Sequence, residues 1–246
     1  MKTKAITLNC DMGESFGIWS LNQDSMAMRW IDMANIACGF HASDPQVMYD
    51  TIALAIQNDV KIGAHPGYPD LQGFGRRTIP MEPEEITNML VYQIGAIKGL
   101  CEYQNTTLQY VKPHGALYND MMRDLGIFEA ICLAVSSFGV PLMMLAIQDN
   151  ERFLDIADKY ELPLLFEAFA DRAYLANGTL ASRKIQGSLL QSEDDILNQV
   201  KQIVNYGKVH TLDGYFIPIE ADTICVHSDN ESSVQLISKI KTILED

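Results

Sequence analysis

Short runs that are apolar at nearly every position alternate along this chain with longer stretches in which apolar residues return every three or four places. The short runs are Ala5–Leu8, Met33–Cys38, Val60–Ala64, Leu108–Val111, Leu142–Ile147, Leu164–Phe169 and Thr223–Val226, and they read as strands. Most are too uniformly apolar for a sheet with one wet face. Burial on both faces predicts parallel strands covered by helices.

The longer stretches supply those helices. Asp44 followed by Pro45 predicts an N-cap with proline at the first helical position, after which Met48, Ile52, Ala55 and Ile56 fall on one face. Beyond Pro83, the residues Ile86, Met89, Leu90, Ile94, Ile97, Leu100 and Cys101 keep the same period, and Val234, Ile237, Ile240 and Leu244 repeat it in the tail. No linker or low-complexity tract interrupts the alternation, so residues 1–246 are expected to form one domain. The expected fold is α/β: a parallel β/α barrel of about seven or eight strands, with an open doubly wound sheet as the alternative.

Composition narrows the partners. A formal net charge of -14 repels phosphate backbones and anionic membranes, so neither nucleic acid nor a membrane surface is an expected partner. No run approaches the ~20 apolar residues of a membrane span, the N-terminal run is too short for a signal-peptide core, and a cytoplasmic address follows as the expectation. The five cysteines contain no C-x-x-C pair and read as reduced, mostly buried thiols.

In either architecture, ligands sit where the parallel strands end. After the first predicted strand comes Asn9-Cys10-Asp11-Met12-Gly13-Glu14-Ser15. After the second comes Gly39-Phe40-His41-Ala42-Ser43-Asp44, and after the third His65-Pro66-Gly67-Tyr68-Pro69-Asp70. The fourth delivers Lys112-Pro113-His114-Gly115, the sixth leads into Glu167 and Asp171-Arg172, and the last ends on His227-Ser228-Asp229. Four of the five histidines therefore follow a predicted strand, which points to a site; His210 reads as structural.

Histidine exchanges protons near neutrality, and a carboxylate such as Asp11 or Glu14 can orient it or act as a base. The set Asp11, His41, His65 and His114 could equally hold a divalent metal, and spacing alone does not choose between these uses. Lys112, Arg172 and the pair Arg76-Arg77 lie in loops and offer counter-charges to a carboxylate or a phosphoryl oxygen. The chain has no G-x-x-x-x-G-K-[ST] loop, no G-x-G-x-x-G fingerprint and no G-x-S-x-G elbow. Use of ATP would need another mode of binding or a partner chain.

Taken together, LNCDMGESFG (8–17), NIACGFHASDP (35–45), IGAHPGYPDLQGFGRR (62–77), YQIGA (92–96), VKPHGALYN (111–119), FADRAY (169–174) and ICVHSD (224–229) resemble the signature blocks of the LamB/YcsF family, the A subunits of 5-oxoprolinase. The resemblance runs through nearly the whole chain in order. It implies a barrel of the glycoside hydrolase/deacetylase type that works with partner subunits B and C to open 5-oxo-L-proline to L-glutamate at the expense of ATP. Carried onto this chain, it implies a catalytic set of Asp11, Glu14, His41, His65, Lys112 and His114, and a substrate-binding set of Asn35, Arg76, Asn119, Asp171, Arg172 and His227. Ser43 and Ser228 depart from it, standing where the family's blocks carry glycine. The segment Arg183-Lys184-Ile185-Gln186-Gly187-Ser188 follows the family's ending only loosely.

Two other functions are compatible with the same residues. One is a stand-alone metal-dependent amidase or deacetylase using Asp11, His65 and His114 as ligands. The other is a non-catalytic subunit that captures a small carboxylate for a partner.

Overall fold

The computed structural model describes residues 5–20, 24–227 and 231–245. Along the chain come strands β1 (Thr7–Met12), β2 (Met33–Ala37), β3 (Lys61–His65), β4 (Tyr110–Val111), β5 (Leu142–Leu145) and β6 (Leu164–Phe169), then an antiparallel hairpin of β7 (Lys208–His210) and β8 (Phe216–Pro218), then β9 (Thr223–Cys225). Among the described residues β1 to β6 and β9 are parallel and close into a seven-stranded barrel, with β9 bonded to both β6 and β1. The barrel expected from the apolar runs is therefore present, and the open sheet is not.

Eight helices accompany the strands among the described residues, seven between them and the last after β9: α1 (Asp24–Ala27), α2 (Pro45–Gln57), α3 (Pro83–Tyr103), α4 (Gly115–Met121), α5 (Leu125–Ser136), α6 (Glu151–Asp158), α7 (Glu193–Tyr206) and α8 (Glu231–Glu245). Asp44 caps α2 as its sequence predicts, accepting hydrogen bonds from the backbone N–H groups of Gln46 at 2.8 Å and Val47 at 3.1 Å. Met48, Ile52 and Ala55 are buried, but Ile56 is 43 % exposed because it lies about 80° around the helix from Met48. Val234, Ile237 and Ile240 seat α8 in the same core. No helix among the described residues is long and apolar enough to cross a membrane.

Each barrel strand presents two faces. Leu8, Cys10, Met12, Ile36, Ile62, Met144 and Ile224 belong to the main apolar core. Met33, Tyr110 and Met143 form a separate small cluster with Leu165 packed against it. Gly63 makes room for it: a Cβ there would overlap the Tyr110 ring.

The sequence pattern ends the first strand at Leu8, whereas β1 runs on to Met12. Asn9 and Asp11 look like loop residues in isolation. They alternate with buried Leu8, Cys10 and Met12, and their side chains find hydrogen-bond partners on other strands, so the strand continues. The other predicted strands shift by at most two residues at either end. The β7–β8 hairpin, an insertion before β9, turns through Asp213-Gly214 with Gly214 at φ +85°, and its strands escaped the apolar pattern because their outer residues face solvent.

Candidate active site

The floor of the site is a polar network built from strand residues. Asn35 Nδ2 donates to Asn9 Oδ1 and Asp11 Oδ1, both at 2.8 Å, and receives a 2.7 Å bond on Oδ1 from the Tyr110 hydroxyl. Lys112 Nζ lies 3.0 Å from Asp11 Oδ1 and 2.9 Å from Glu167 Oε1, with Cys225 Sγ at 3.3 Å. Tyr118, from α4, donates to Glu167 Oε2 at 2.9 Å. Burial works against charge on Lys112, yet Asp11 and Glu167 outweigh it and hold the ammonium pKa well above its ordinary value. Asp11 responds in the opposite sense. Burial raises its pKa, while His65 and Lys112 carry it well below the usual carboxylate range.

Above this floor the imidazoles meet. His65 ends β3, and its Nδ1 lies 2.7 Å from the Lys112 carbonyl oxygen; the Nε2 of His114 lies 2.9 Å from the Phe74 carbonyl oxygen. A carbonyl only accepts, so both of these outer nitrogens carry hydrogen. His65 Nε2 and His114 Nδ1 then face each other at 2.9 Å, with Asp11 Oδ2 3.3 Å from the former and Glu14 Oε1 3.6 Å from the latter. His41, fully buried, stacks on His114 with ring centroids 3.7 Å apart and puts Nε2 3.5 Å from Glu14 Oε1.

Local backbone geometry makes this convergence fit. Gly13, at φ +67° and held by Asp24 through a 2.8 Å bond to its N–H, turns the chain so that Glu14 follows β1 into the site. Gly75, at φ +61°, lies so close that a Cβ there would stand 2.7 Å from the His114 ring and 2.8 Å from His41. Burial, with the neighbouring histidines, drives the pKa of His41 and of His114 well below normal, so both rings are neutral at pH 7. Burial also raises that of Glu14.

A cleft of about 350 Å³ opens over this centre, at the small end of the range for low-molecular-weight ligands. Of the residues singled out in the sequence, Asp11, Glu14, His65, Lys112, His114, Arg76, Asn119, Arg172 and His227 line it. Three others stand behind it. His41 backs His114, Asn35 lies under Asp11, and Asp171 accepts a 2.7 Å hydrogen bond from His227 Nδ1. Arg77 points outward instead, its side chain 64 % exposed and paired with Asp70. His210 sits on the hairpin against Phe216 and takes no part. Ser228 and Asp229 lie outside the described residues.

The rim is strongly cationic. Arg76, whose guanidinium lies 5.0 Å from the Phe74 ring, is joined by Arg123, Arg172, Arg183 and Lys184. Burial and the adjacent Arg183 bring the Arg172 pKa down to about 10, which leaves it charged at neutral pH. Arg123 and Arg183 are not picked out by the sequence pattern. Neither stands beside a strand end in an apolar-to-polar switch, and only loop paths bring them to the mouth.

Comparison with known proteins places this architecture among close relatives. A model of the LamB/YcsF family matches residues 6–246. The chain is 60 % identical over 246 residues, the full length of both proteins, to the A subunit of 5-oxoprolinase from Vibrio cholerae. It is 46 % identical over 244 residues to the 5-oxoprolinase A subunit numbered 3 from Pseudomonas aeruginosa, covering 98 % of this chain and 97 % of that one. The crystal structure of a lactam utilization protein from Thermus thermophilus superposes with a TM-score of 0.89 at 37 % identity, covering 98 % of this chain and 96 % of that one.

Proposed function

The chain belongs to the LamB/YcsF family, and from that membership and the site we propose that it is the component of an ATP-dependent 5-oxoprolinase in which 5-oxo-L-proline is opened to L-glutamate. The observation that carries this reading is the division of one small cleft into a cationic rim and a buried acid–histidine floor. A full-length relative named as the A subunit of 5-oxoprolinase supports both the substrate and the existence of partners, taken here as subunits B and C. ATP would be bound largely by those partners, in the cytoplasm, since this chain carries no phosphate loop.

The chemistry explains the need for ATP. A five-membered lactam is an unreactive amide, and transfer of the γ-phosphoryl group to its carbonyl oxygen makes the carbon a better electrophile. Water then adds to that carbon and the ring C–N bond breaks, with the nitrogen taking a proton. The acyl phosphate so formed is hydrolysed by a second water to glutamate and phosphate.

The residues divide this work. Arg76 and Arg172 hold the substrate carboxylate, and the rim beside them, with Asn119, faces phosphoryl oxygens. The centre of Asp11, Glu14, His65 and His114, backed by His41, activates water. Lys112, engaged with both Asp11 and Glu167, helps keep Asp11 ionised and holds the two carboxylates in place rather than meeting the substrate. Asn35 fixes Asp11 from below. His227 donates the proton to the departing nitrogen: burial lowers its pKa, but Asp171 more than compensates and the net shift is upward.

The test is to assay 5-oxoproline and ATP consumption by the chain alone and with its candidate partners. ADP and glutamate formed together, and only with partners, is the expected result. Turnover by the chain alone without ATP would instead identify a stand-alone amidase. If His114→Ala, folded and assembled, left glutamate production unchanged, the chain would serve its partners as a binding protein.

A further inference from the structure

We propose that Glu14, His41, His65 and His114 form a binding site for one divalent transition-metal ion. One ligand atom from each lies within 4.8 Å of all the others. Proximity alone would not carry the proposal; the hydrogen bonding around the cluster does.

The Lys112 and Phe74 carbonyls fix hydrogens of His65 and His114 on their outer nitrogens, which turns His65 Nε2 and His114 Nδ1 toward each other at 2.9 Å. Asp11 Oδ2 adds a third electron-rich atom 3.3 Å from His65 Nε2. A single proton on one imidazole would relieve that contact. It would leave Glu14 Oε1 and His41 Nε2 as they stand, buried and without a hydrogen-bond partner. Buried polar atoms left unpaired lose their water contacts with nothing in return, whereas one cation among the four ligand atoms satisfies them together.

The ligand spacing and chemistry agree. Donor atoms about 2.1 Å from a tetrahedral ion stand about 3.4 Å apart; three of the six pairs here measure 2.9, 3.5 and 3.6 Å, and all six lie within 4.8 Å. Three imidazoles and one carboxylate suit Zn²⁺, Mn²⁺ or Co²⁺ rather than the all-oxygen preference of Mg²⁺ or Ca²⁺. Two of the three rings already have the outer N–H bond that orients a metal-ligating histidine, and the third is held by its stack on His114. Glu14 thus takes the place that the sequence pattern offers to Asp11. The oxygen Asp11 Oδ1 is engaged by Lys112 and Asn35, which leaves Oδ2 as a neighbour of the centre.

The inference does not depend on the substrate proposed above, and metal can be measured directly. The purified chain is stripped with a chelator, confirmed folded by circular dichroism, and titrated calorimetrically with Zn²⁺ and Mn²⁺; Co²⁺ replaces them for absorption spectroscopy. One equivalent is expected, with bands of a nitrogen- and oxygen-ligated Co²⁺. Glu14→Gln and His41→Ala should each weaken binding by about 100-fold, whereas His210→Ala should not. If His41→Ala fails to fold, Glu14→Gln alone decides. A folded, stripped chain that takes up none of the three ions, or binding that survives Glu14→Gln at full affinity, would overturn the proposal whatever the complex does to 5-oxoproline.

Discussion

The carboxylate of Asp171, just beyond β6, accepts a 2.7 Å hydrogen bond from Nδ1 of His227, just beyond β9, tying two neighbouring strand ends together at the edge of the cleft. Burial lowers the His227 pKa, Asp171 and its hydrogen bond raise it further than that, and Asp11 helps; Arg183, 3.5 Å from Nε2, opposes. For Asp171, burial is outweighed by His227 and Arg172, and its pKa falls. A histidine whose pKa is raised on folding contributes stability below its unfolded value, near 6.5, and loses it as pH rises through the folded value. The lowered aspartate contributes above about pH 4 and loses it in acid. His227→Gln should therefore cost more stability at pH 5.5 than at pH 9, by on the order of 1 kcal/mol. Urea unfolding across that range checks this, and an equal cost at both ends would contradict the linkage.

The two adjacent arginines should behave differently. Arg76 lines the cleft and Arg77 pairs with Asp70 on the outside. Loss of a charge-assisted contact to a substrate carboxylate costs about 1.5–3 kcal/mol, so Arg76→Ala should raise the KM for 5-oxoproline in the assembled enzyme by about 10- to 100-fold. Arg77→Ala should leave KM unchanged. Steady-state kinetics on the two variants separate a rim that binds the substrate from one that merely balances charge.

Lys112 is the keystone of the floor. Replacing it with methionine keeps much of the volume and leaves Asp11 and Glu167 buried without their shared cation, a change that typically costs about 3–5 kcal/mol. Lys112→Met should lower stability by that amount in chemical denaturation at pH 7. The deficit should shrink in acid, as the stranded carboxylates take up protons. A variant as stable as the parent would show that the ion chain contributes nothing net to the fold.

The sequence disclosed the barrel because apolar runs such as Met33–Ala37 are buried on both faces and leave a plain signature. It disclosed the histidines because each sits beside a strand end. It concealed the end of β1, since Asn9 and Asp11 are satisfied by Asn35 and Lys112, residues remote in sequence. For the same reason it could not say that Glu14, rather than Asp11, joins three histidines. Distances across a barrel mouth depend on how strands are staggered, and no local spacing encodes that. The pairing of Lys112 with Glu167 was hidden likewise, because Glu167 stands on β6, two strands away in the barrel and remote in sequence.

Ser43 offers a test of backbone strain beside the site. It is fully buried at φ +75°, in the loop between β2 and α2. A residue with a Cβ pays roughly 1–2 kcal/mol in the left-handed region, part of which glycine gives back through its freer unfolded chain. The Ser43 hydroxyl holds only a marginal 3.4 Å contact to the Asp44 carbonyl, so little is lost with it. Ser43→Gly should therefore stabilise the protein by about 0.5–1 kcal/mol, a rise in Tm of about 1–3 °C for a chain of this size. Ser43→Ala, which keeps the Cβ and drops only the hydroxyl, should give no gain. Thermal unfolding of the pair distinguishes strain from hydrogen bonding, and a glycine variant no more stable than the parent would mean that the loop accommodates serine without cost.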